Sequence, residues 1–221
     1  MGDVAKRLVL VILLQGFVGL ATQKARPSQR ESVLDRPVLG NHLKYLTTMD
    51  AFSLAVSAVN APGGFVKLST CEPDLVQQTW KPVGIPLRQV LDGIITADPR
   101  YRWEAIDGSI NMLPAKQEPP LLRARIGEFR IENVTSARDA LNQLVRMPEV
   151  GQAMADLHLK PGVAIIVSPS SPRPRAFDVI CKNVSLREAL NAIARAQGRA
   201  VWDYVERHCG EEHQVTIRIS G

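Results

Sequence analysis

Residues 183–194, NVSLREALNAIA, form the stretch that decides the fold of this chain. Ser185 and Glu188 make an S-x-x-E capping box, in which each side chain binds a free backbone N–H of the first helical turn. Gly198 follows at the position where helices commonly end in the left-handed conformation. Apolar residues recur three and four positions apart, which makes one helical face apolar: Leu186, Ala189, Leu190 and Ile193. The stretch therefore predicts a capped amphipathic helix.

Strands flank this helix, and its pattern occurs twice more upstream. Residues 177–180 and 200–205 alternate apolar and polar residues, as half-buried strands do. The same apolar spacing begins at Leu87 and at Ala137, so the three helices follow one another at intervals of about 50 residues. Any amphipathic helix has this spacing, but each copy also has an arginine after its first apolar residue. We therefore predict a repeated structural unit.

We predict an α+β fold of two tandem small βαββαββ-type modules, each with two helices packed on short mixed sheets. The first module is predicted over residues 45–114 and the second over residues 126–221, with a proline-containing linker over residues 115–125. Asp107-Gly108, between two alternating segments, predicts a β-hairpin in the first module.

The N-terminal residues have the pattern of a secretory signal. Lys6 and Arg7 precede an apolar run over residues 8–20, which is too short to span a bilayer, and small residues follow it. We predict a cleaved signal peptide over residues 1–22, a flexible leader over residues 23–44, and a periplasmic or secreted mature protein. An uncleaved N-terminal anchor is the alternative.

Composition and motifs argue against several function classes. The net charge of +5 is modest and spread along the chain, and aromatic residues make up 5% of it, which disfavours a base-stacking nucleic-acid surface. The sequence has no nucleophile-elbow, P-loop, zincin or EF-hand motif. We predict no catalytic residues, no cofactor and no resident metal.

The chain has three cysteines, and an oxidising compartment favours a disulfide. Cys181 and Cys209 are the candidate pair, because a bond between them would tie the strand before the last helix to the final hairpin turn. Buried free thiols are the alternative, and the odd count leaves one cysteine unpaired.

The final turn contains the chain's densest group of metal-binding residue types. His208, Cys209 and His213 lie close together, with Glu211 and Glu212 between them. Because a zinc site generally needs four placed ligands, or three and a water, we interpret this segment as an exposed polar turn and keep a metal site as the alternative.

Trp103 and Trp202 occupy matched places in the two units, each in the strand after the repeated helix. We expect both to anchor cores, since large aromatic residues dominate small cores; if exposed, either becomes a candidate for the interaction surface. Arg173 and Arg175 are further candidates for that surface, in a proline-rich loop whose charges solvation alone would also explain.

The strand, the NVSLREALNAIARAQG helix and the closing hairpin resemble the short N-terminal domain (STN) shared by secretins and TonB-dependent receptors. Residues 126–220 are similar to it in element order, and residues 45–114 resemble a more divergent copy. The resemblance implies a small periplasmic α+β module that works by protein–protein contact. Within these 221 residues we identify neither a secretin pore segment nor the pattern of an outer-membrane barrel, which differs from the family.

From the resemblance we expect an exported, non-catalytic protein-binding or scaffolding protein of the bacterial cell envelope. Its partner would be an envelope protein, with secretion or TonB-type transport machinery as candidates, and we expect no nucleic-acid partner and no membrane span after signal cleavage. Recognition would use exposed sheet edges or the cleft between modules. The alternatives are a secreted hydrolase or metal-dependent enzyme that uses the His208–His213 turn, and a membrane-anchored periplasmic sensor domain.

Overall fold

The computed structural model describes residues 32–39, 43–70, 78–80, 83–162 and 175–220. The predicted signal peptide, Cys71 and Arg173 lie outside these ranges. The elements of the first half are β1 (Pro37–Leu39), β2 (Leu43–Leu46), α1 (Thr48–Ala58), β3 (Gly63–Ser69), β4 (Gln78–Trp80), β5 (Val83–Pro86), α2 (Leu87–Ala97), β6 (Tyr101–Ile106) and β7 (Ser109–Pro114). Those of the second half are β8 (Arg125–Val134), α3 (Ala137–Val145), α4 (Pro148–Asp156), β9 (Lys160–Pro161), β10 (Phe177–Ser185), α5 (Leu186–Gln197), β11 (Val201–Cys209) and β12 (Glu212–Ser220). Short 3-10 helices cover Val33–Asp35 and Pro120–Arg123.

Helix α5 begins with the capping box that the sequence predicts. The Ser185 side chain accepts from the backbone N–H of Glu188, and the Glu188 carboxylate accepts from the backbone N–H of Ser185. These hydrogen bonds hold the pKa of Glu188 below its ordinary value. The helix ends at Gly198 with φ of 102°, and its apolar face is buried. Local sequence alone therefore specifies where α5 begins, ends and packs.

One six-stranded sheet runs through both halves, in the order β6-β7-β3-β11-β12-β9. Its central pair is β3 and β11, which are parallel and in register from Gly63 opposite Val201 to Ser69 opposite Arg207. Three two-stranded ribbons complete the described strands: β1 with β5, β2 with β4, and β8 with β10.

The strand pairings of the two halves correspond to one another. In the first half β1 pairs antiparallel with β5, and β3 lies parallel beside the β6–β7 hairpin. In the second half β8 pairs antiparallel with β10, and β9 lies parallel beside the β11–β12 hairpin. The fold is α+β with mixed sheets, as predicted. The division into tandem modules is not confirmed, because β3 and β11 join both halves into one sheet.

Two hydrophobic cores lie on opposite faces of this sheet. Phe65 and Val201 belong to the first core, with α1 and α2, whereas their neighbours Val66 and Trp202 belong to the second, with α3 and α5. Successive side chains of a strand point to opposite faces, so β3 and β11 each contribute to both cores. The shared strands therefore couple the packing of the two halves.

The predicted leader differs from the structure. The flexible leader predicted for residues 23–44 contains a 3-10 helix and strand β1, in which Leu34 is 9% exposed and Val38 is fully buried. The polar composition of this segment gave no indication that Leu34 and Val38 would be buried. Within the described residues, none of the helices combines the length and apolar character that crossing a membrane requires.

Candidate functional site

A cleft lies between α5 and the turn that joins β6 to β7. Arg187, Asn191 and Arg195 are spaced four residues apart on α5, so they share one helical face. The cleft has a volume of about 70 Å³ and is lined by Ile106, Asp107, Arg187, Glu188, Asn191 and Arg195. Pockets for drug-sized ligands are typically about 300–1,000 Å³, so this cleft suits a single inserted side chain better than a metabolite.

Arg187 forms the fixed wall of the cleft. Its side chain is 19% exposed, its guanidinium contacts the Glu104 carboxylate of β6, and its Nε lies 2.9 Å from Glu118 Oε1. Burial by itself would raise the pKa of Glu104, but the hydrogen bond from Arg102 and the charge of Arg187 outweigh it, so this pKa lies below its ordinary value. Arg187 therefore joins α5 to the first half and has little capacity left for a ligand.

Arg195 differs from Arg187 in both exposure and partners. It is an exposed residue, and its Nη1 donates to the Ser109 hydroxyl at 3.3 Å. Within the described residues it forms no ion pair with a carboxylate. Ile106, beside it in the cleft, is 42% exposed although it is apolar. The same small cleft therefore offers both a guanidinium and an apolar contact.

Two buried amides lie close to the cleft. The Asn191 side-chain oxygen accepts from Trp202 Nε1 at 2.9 Å, which fixes the orientation of that amide. Asn111 of β7 lies opposite Glu104 and on the same strand face as Ser109, and it is fully buried with neither side-chain polar atom hydrogen-bonded. Buried polar atoms normally have a partner, which is often an ordered water. The floor of this region therefore has unused hydrogen-bonding capacity.

Of the residues predicted for an interaction surface, the structure describes Trp103, Trp202 and Arg175, whereas Arg173 lies outside the described residues. Trp202 is fully buried, so its assignment to that surface is corrected: it packs in the second core because its strand is central in the sheet. Trp103 is partly buried, donates to Asp92 Oδ1 at 2.9 Å and lies 5.9 Å from the Arg88 guanidinium. Arg175 is exposed.

The predicted Cys181–Cys209 disulfide is wrong. Cys209 is disulfide-bonded and Cys181 is free. The two residues lie in different sheets: Cys181 pairs with Phe129 in the β8–β10 ribbon, and Cys209 with Glu212 in the β11–β12 hairpin. Burial raises the pKa of the Cys181 thiol. The sequence pattern did not indicate that the two cysteines lie in different sheets.

The final hairpin brings its two histidines together. His208 lies opposite His213, and their ring centroids are 4.6 Å apart. His208 Nε2 lies 2.7 Å from Glu206 Oε1, and the Tyr204 hydroxyl donates to the other oxygen of the same carboxylate. Burial, followed by the hydrogen bond to Glu206, raises the pKa of Tyr204. Among the described residues, no three metal-ligating side chains converge on one point.

The sequence contained a signal for the cleft that the apolar pattern obscured. Arg187, Asn191 and Arg195 repeat at intervals of four residues within and just after the stretch that decides the fold. A conventional amphipathic helix presents such residues to solvent, so the spacing alone does not indicate a site. Only the tertiary structure brings this polar face against β6, β7 and β11.

Comparisons with protein-family models, with curated proteins and with solved structures find nothing that matches this chain.

Proposed function

We propose that this chain is an exported, non-catalytic scaffolding protein of the bacterial cell envelope, which binds a partner protein at the cleft between α5 and the β6–β7 turn. The observation that carries the proposal is the pairing of Arg195, which has no carboxylate partner among the described residues, with the exposed Ile106. An arginine beside an apolar contact is a common composition for a protein-binding hot spot.

The dimensions of the cleft favour a protein partner over a small substrate. A volume of about 70 Å³ admits one side chain or a few waters. The Arg187 ion pairs with Glu104 and Glu118 brace the cleft, so a partner would meet a site that is already formed. A preformed site requires little ordering on binding, which favours affinity. A partner segment that presents an acidic side chain to Arg195 and an apolar one to Ile106 fits best.

The envelope location rests on the N-terminal signal pattern and on the resemblance to the STN domain. Fractionation of expressing cells, followed by N-terminal sequencing of the mature chain, tests it. A mature protein in the periplasm that begins near residue 22 supports cleavage and export. A protein that keeps residue 1 and sediments with membranes supports the anchored alternative.

Site-specific photo-cross-linking tests the binding surface. A photoreactive residue at Asp107, on the rim of the cleft, is compared with one at Leu54, an exposed position on α1. We expect an adduct with an envelope protein from position 107 and not from position 54. In the position-107 background, Arg195→Glu should abolish the adduct, whereas Arg199→Glu, an exposed arginine that does not line the cleft, should leave it unchanged.

Two outcomes would contradict this function. The first is an adduct of equal yield from positions 54 and 107, or one that Arg195→Glu leaves intact. The second is turnover of an ester, glycoside or peptide by the purified protein that is lost on His208→Gln or His213→Gln, since it would favour the enzyme alternative at the final hairpin.

A further inference from the structure

The β8–β10 ribbon is two-stranded, so neither of its outer edges is covered by another described strand. β10 pairs with β8 through Ile180 opposite Arg130 and Lys182 opposite Glu128, and it has no second neighbour among the described strands. The far edge of β8 is approached by α4, because Glu149 accepts from the backbone N–H of Gly127. The outer edge of β10 has no such hydrogen bond to a described helix, so it is the more open of the two edges.

The backbone groups on this edge follow from two observed hydrogen bonds. Leu186 donates its N–H to the Ala124 carbonyl, which places the even-numbered residues of both strands on the inner side of the ribbon. Gly127 donates away from β10, as the alternation requires. The N–H and C=O groups of Val179 and Cys181 therefore point towards the open edge, where nothing in the described residues pairs with them.

The usable part of the edge is short. At one end Arg125 donates to the Asn183 carbonyl at 2.6 Å, which occupies the next outward-facing group. At the other end the register shifts between Phe177 and Val179. The edge is therefore open from Asp178 to Lys182.

The charged side chains along this segment are placed so that a second copy, running in the opposite direction, would set an acidic side chain opposite each basic one. Asp178, Ile180 and Lys182 are all exposed, with Ile180 at 54% and the Lys182 side chain at 70%. Lys182 lies 3.5 Å from Glu128 within the chain, and Asp178 Oδ1 accepts from the Asn133 N–H, which leaves its second oxygen available. Reversing the segment about Ile180 exchanges the acidic and the basic positions.

We propose that two copies of this chain associate by antiparallel pairing of their β10 edges about Ile180. Ile180 would then face Ile180 of the second copy, Lys182 would face Asp178 twice, and Val179 and Cys181 would exchange backbone hydrogen bonds across the symmetry axis. The result is a four-stranded sheet with a self-complementary, two-fold interface. This inference goes beyond the proposed function and uses a different surface from the cleft.

Analytical ultracentrifugation of the purified mature chain over a range of concentrations tests the pairing. We expect a monomer–dimer equilibrium in the wild type. Lys182→Asp and Asp178→Lys should each weaken the dimer by about tenfold or more, because like charges would then face each other at two places. Lys116→Asp, an exposed change of the same charge outside β10, should leave the equilibrium unchanged.

Mixing the two charge variants tests whether residues 178 and 182 face each other across the interface. Lys182→Asp and Asp178→Lys chains are each poor at self-association, yet a mixed pair restores both opposite-charge contacts, so an equimolar mixture should form heterodimers. Asp178→Lys removes the acceptor of the Asn133 N–H and could fail to fold. In that case Ile180→Lys is used instead of the mixture: it places two like charges at the two-fold axis and should weaken the dimer.

A wild type that stays monomeric at every concentration, a mixture that does not associate, or a dimer indifferent to Ile180→Lys would overturn the inference. None of these outcomes bears on the cleft, whose cross-linking test is carried out at Asp107.

Discussion

Trp202 of β11 lies against Gly64 of β3, so closely that a Cβ added to Gly64 would come within 2.0 Å of the indole Cε2. The two residues are opposite each other in the parallel pair that joins the halves of the sheet. The indole is fully buried and donates to Asn191 of α5. A glycine in one half thus makes room for the largest core side chain of the other.

The first prediction concerns this contact. Gly64→Ala should lower the free energy of unfolding by about 2 kcal/mol, because the indole must shift in a packed core. Equilibrium urea unfolding measures the change. Gly93→Ala is the matched control, since Gly93 lies in α2 with nothing within 4 Å of an added Cβ, and it should raise the same free energy by about 0.5 to 1 kcal/mol.

Trp202→Phe in the Gly64→Ala background identifies the cause. The smaller ring should relieve part of the clash, so the double variant should be less destabilised than the two single changes add up to. If the two changes in unfolding free energy simply add, Gly64→Ala destabilises the protein through a contact other than that with Trp202.

The second prediction concerns thiol reactivity. Without reductant, iodoacetamide should modify Cys181 and not Cys209, as peptide mass spectrometry would show. Burial raises the pKa of Cys181, with Glu188 adding to the shift and Arg195 opposing it, so the reaction should be slower at pH 8 than that of a free cysteine. Arg195→Gln removes the opposing charge and should slow it further. Modification of Cys209 before reduction would contradict the assignment.

The third prediction concerns Asp203, whose pKa burial raises from 3.8 to about 6, with Asp50 adding to the shift and Arg218 opposing it. The unfolded chain keeps an ordinary pKa, so between these values the folded state binds more protons, and stability falls as pH rises from about 4 to about 6. The loss is about 3 kcal/mol.

Asp203→Asn should therefore stabilise the protein at pH 7.5 relative to wild type and have much less effect near pH 4. Urea unfolding of both proteins at the two pH values measures the difference. A benefit of the same size at both pH values would mean that ionisation of Asp203 is not its source.

The fourth prediction concerns the start of α5. Ser185→Ala should lower the free energy of unfolding by about 1 kcal/mol, because the backbone N–H of Glu188 loses its acceptor. Ser57→Ala on the exposed face of α1 has no cap to lose and should be neutral or slightly stabilising. Thermal unfolding followed by circular dichroism compares them. Equal effects would argue against the capping role.

Local features of this fold were predictable because their causes are local. The capping box of α5 involves Ser185 and Glu188, three residues apart, and the β6–β7 hairpin turns at Asp107-Gly108. Helix periodicity and turn chemistry act over a few positions, so they leave a readable pattern. The α+β class followed from those elements. The cleft was harder to predict, because the polar face of α5 resembles any solvated helix face until β7 lies beneath it.

The amino-acid sequence by itself determined which segments become helices and hairpins, where α5 starts and stops, and which faces are apolar. Only the tertiary structure decided that β3 pairs with β11, that Trp202 is buried against Gly64, and that Cys181 is left without a disulfide partner. The strand pairing and the burial of Trp202 depend on the fit between side chains and backbones more than a hundred residues apart. Such complementarity produces no repeating spacing of residue types, so no pattern along the chain predicts it.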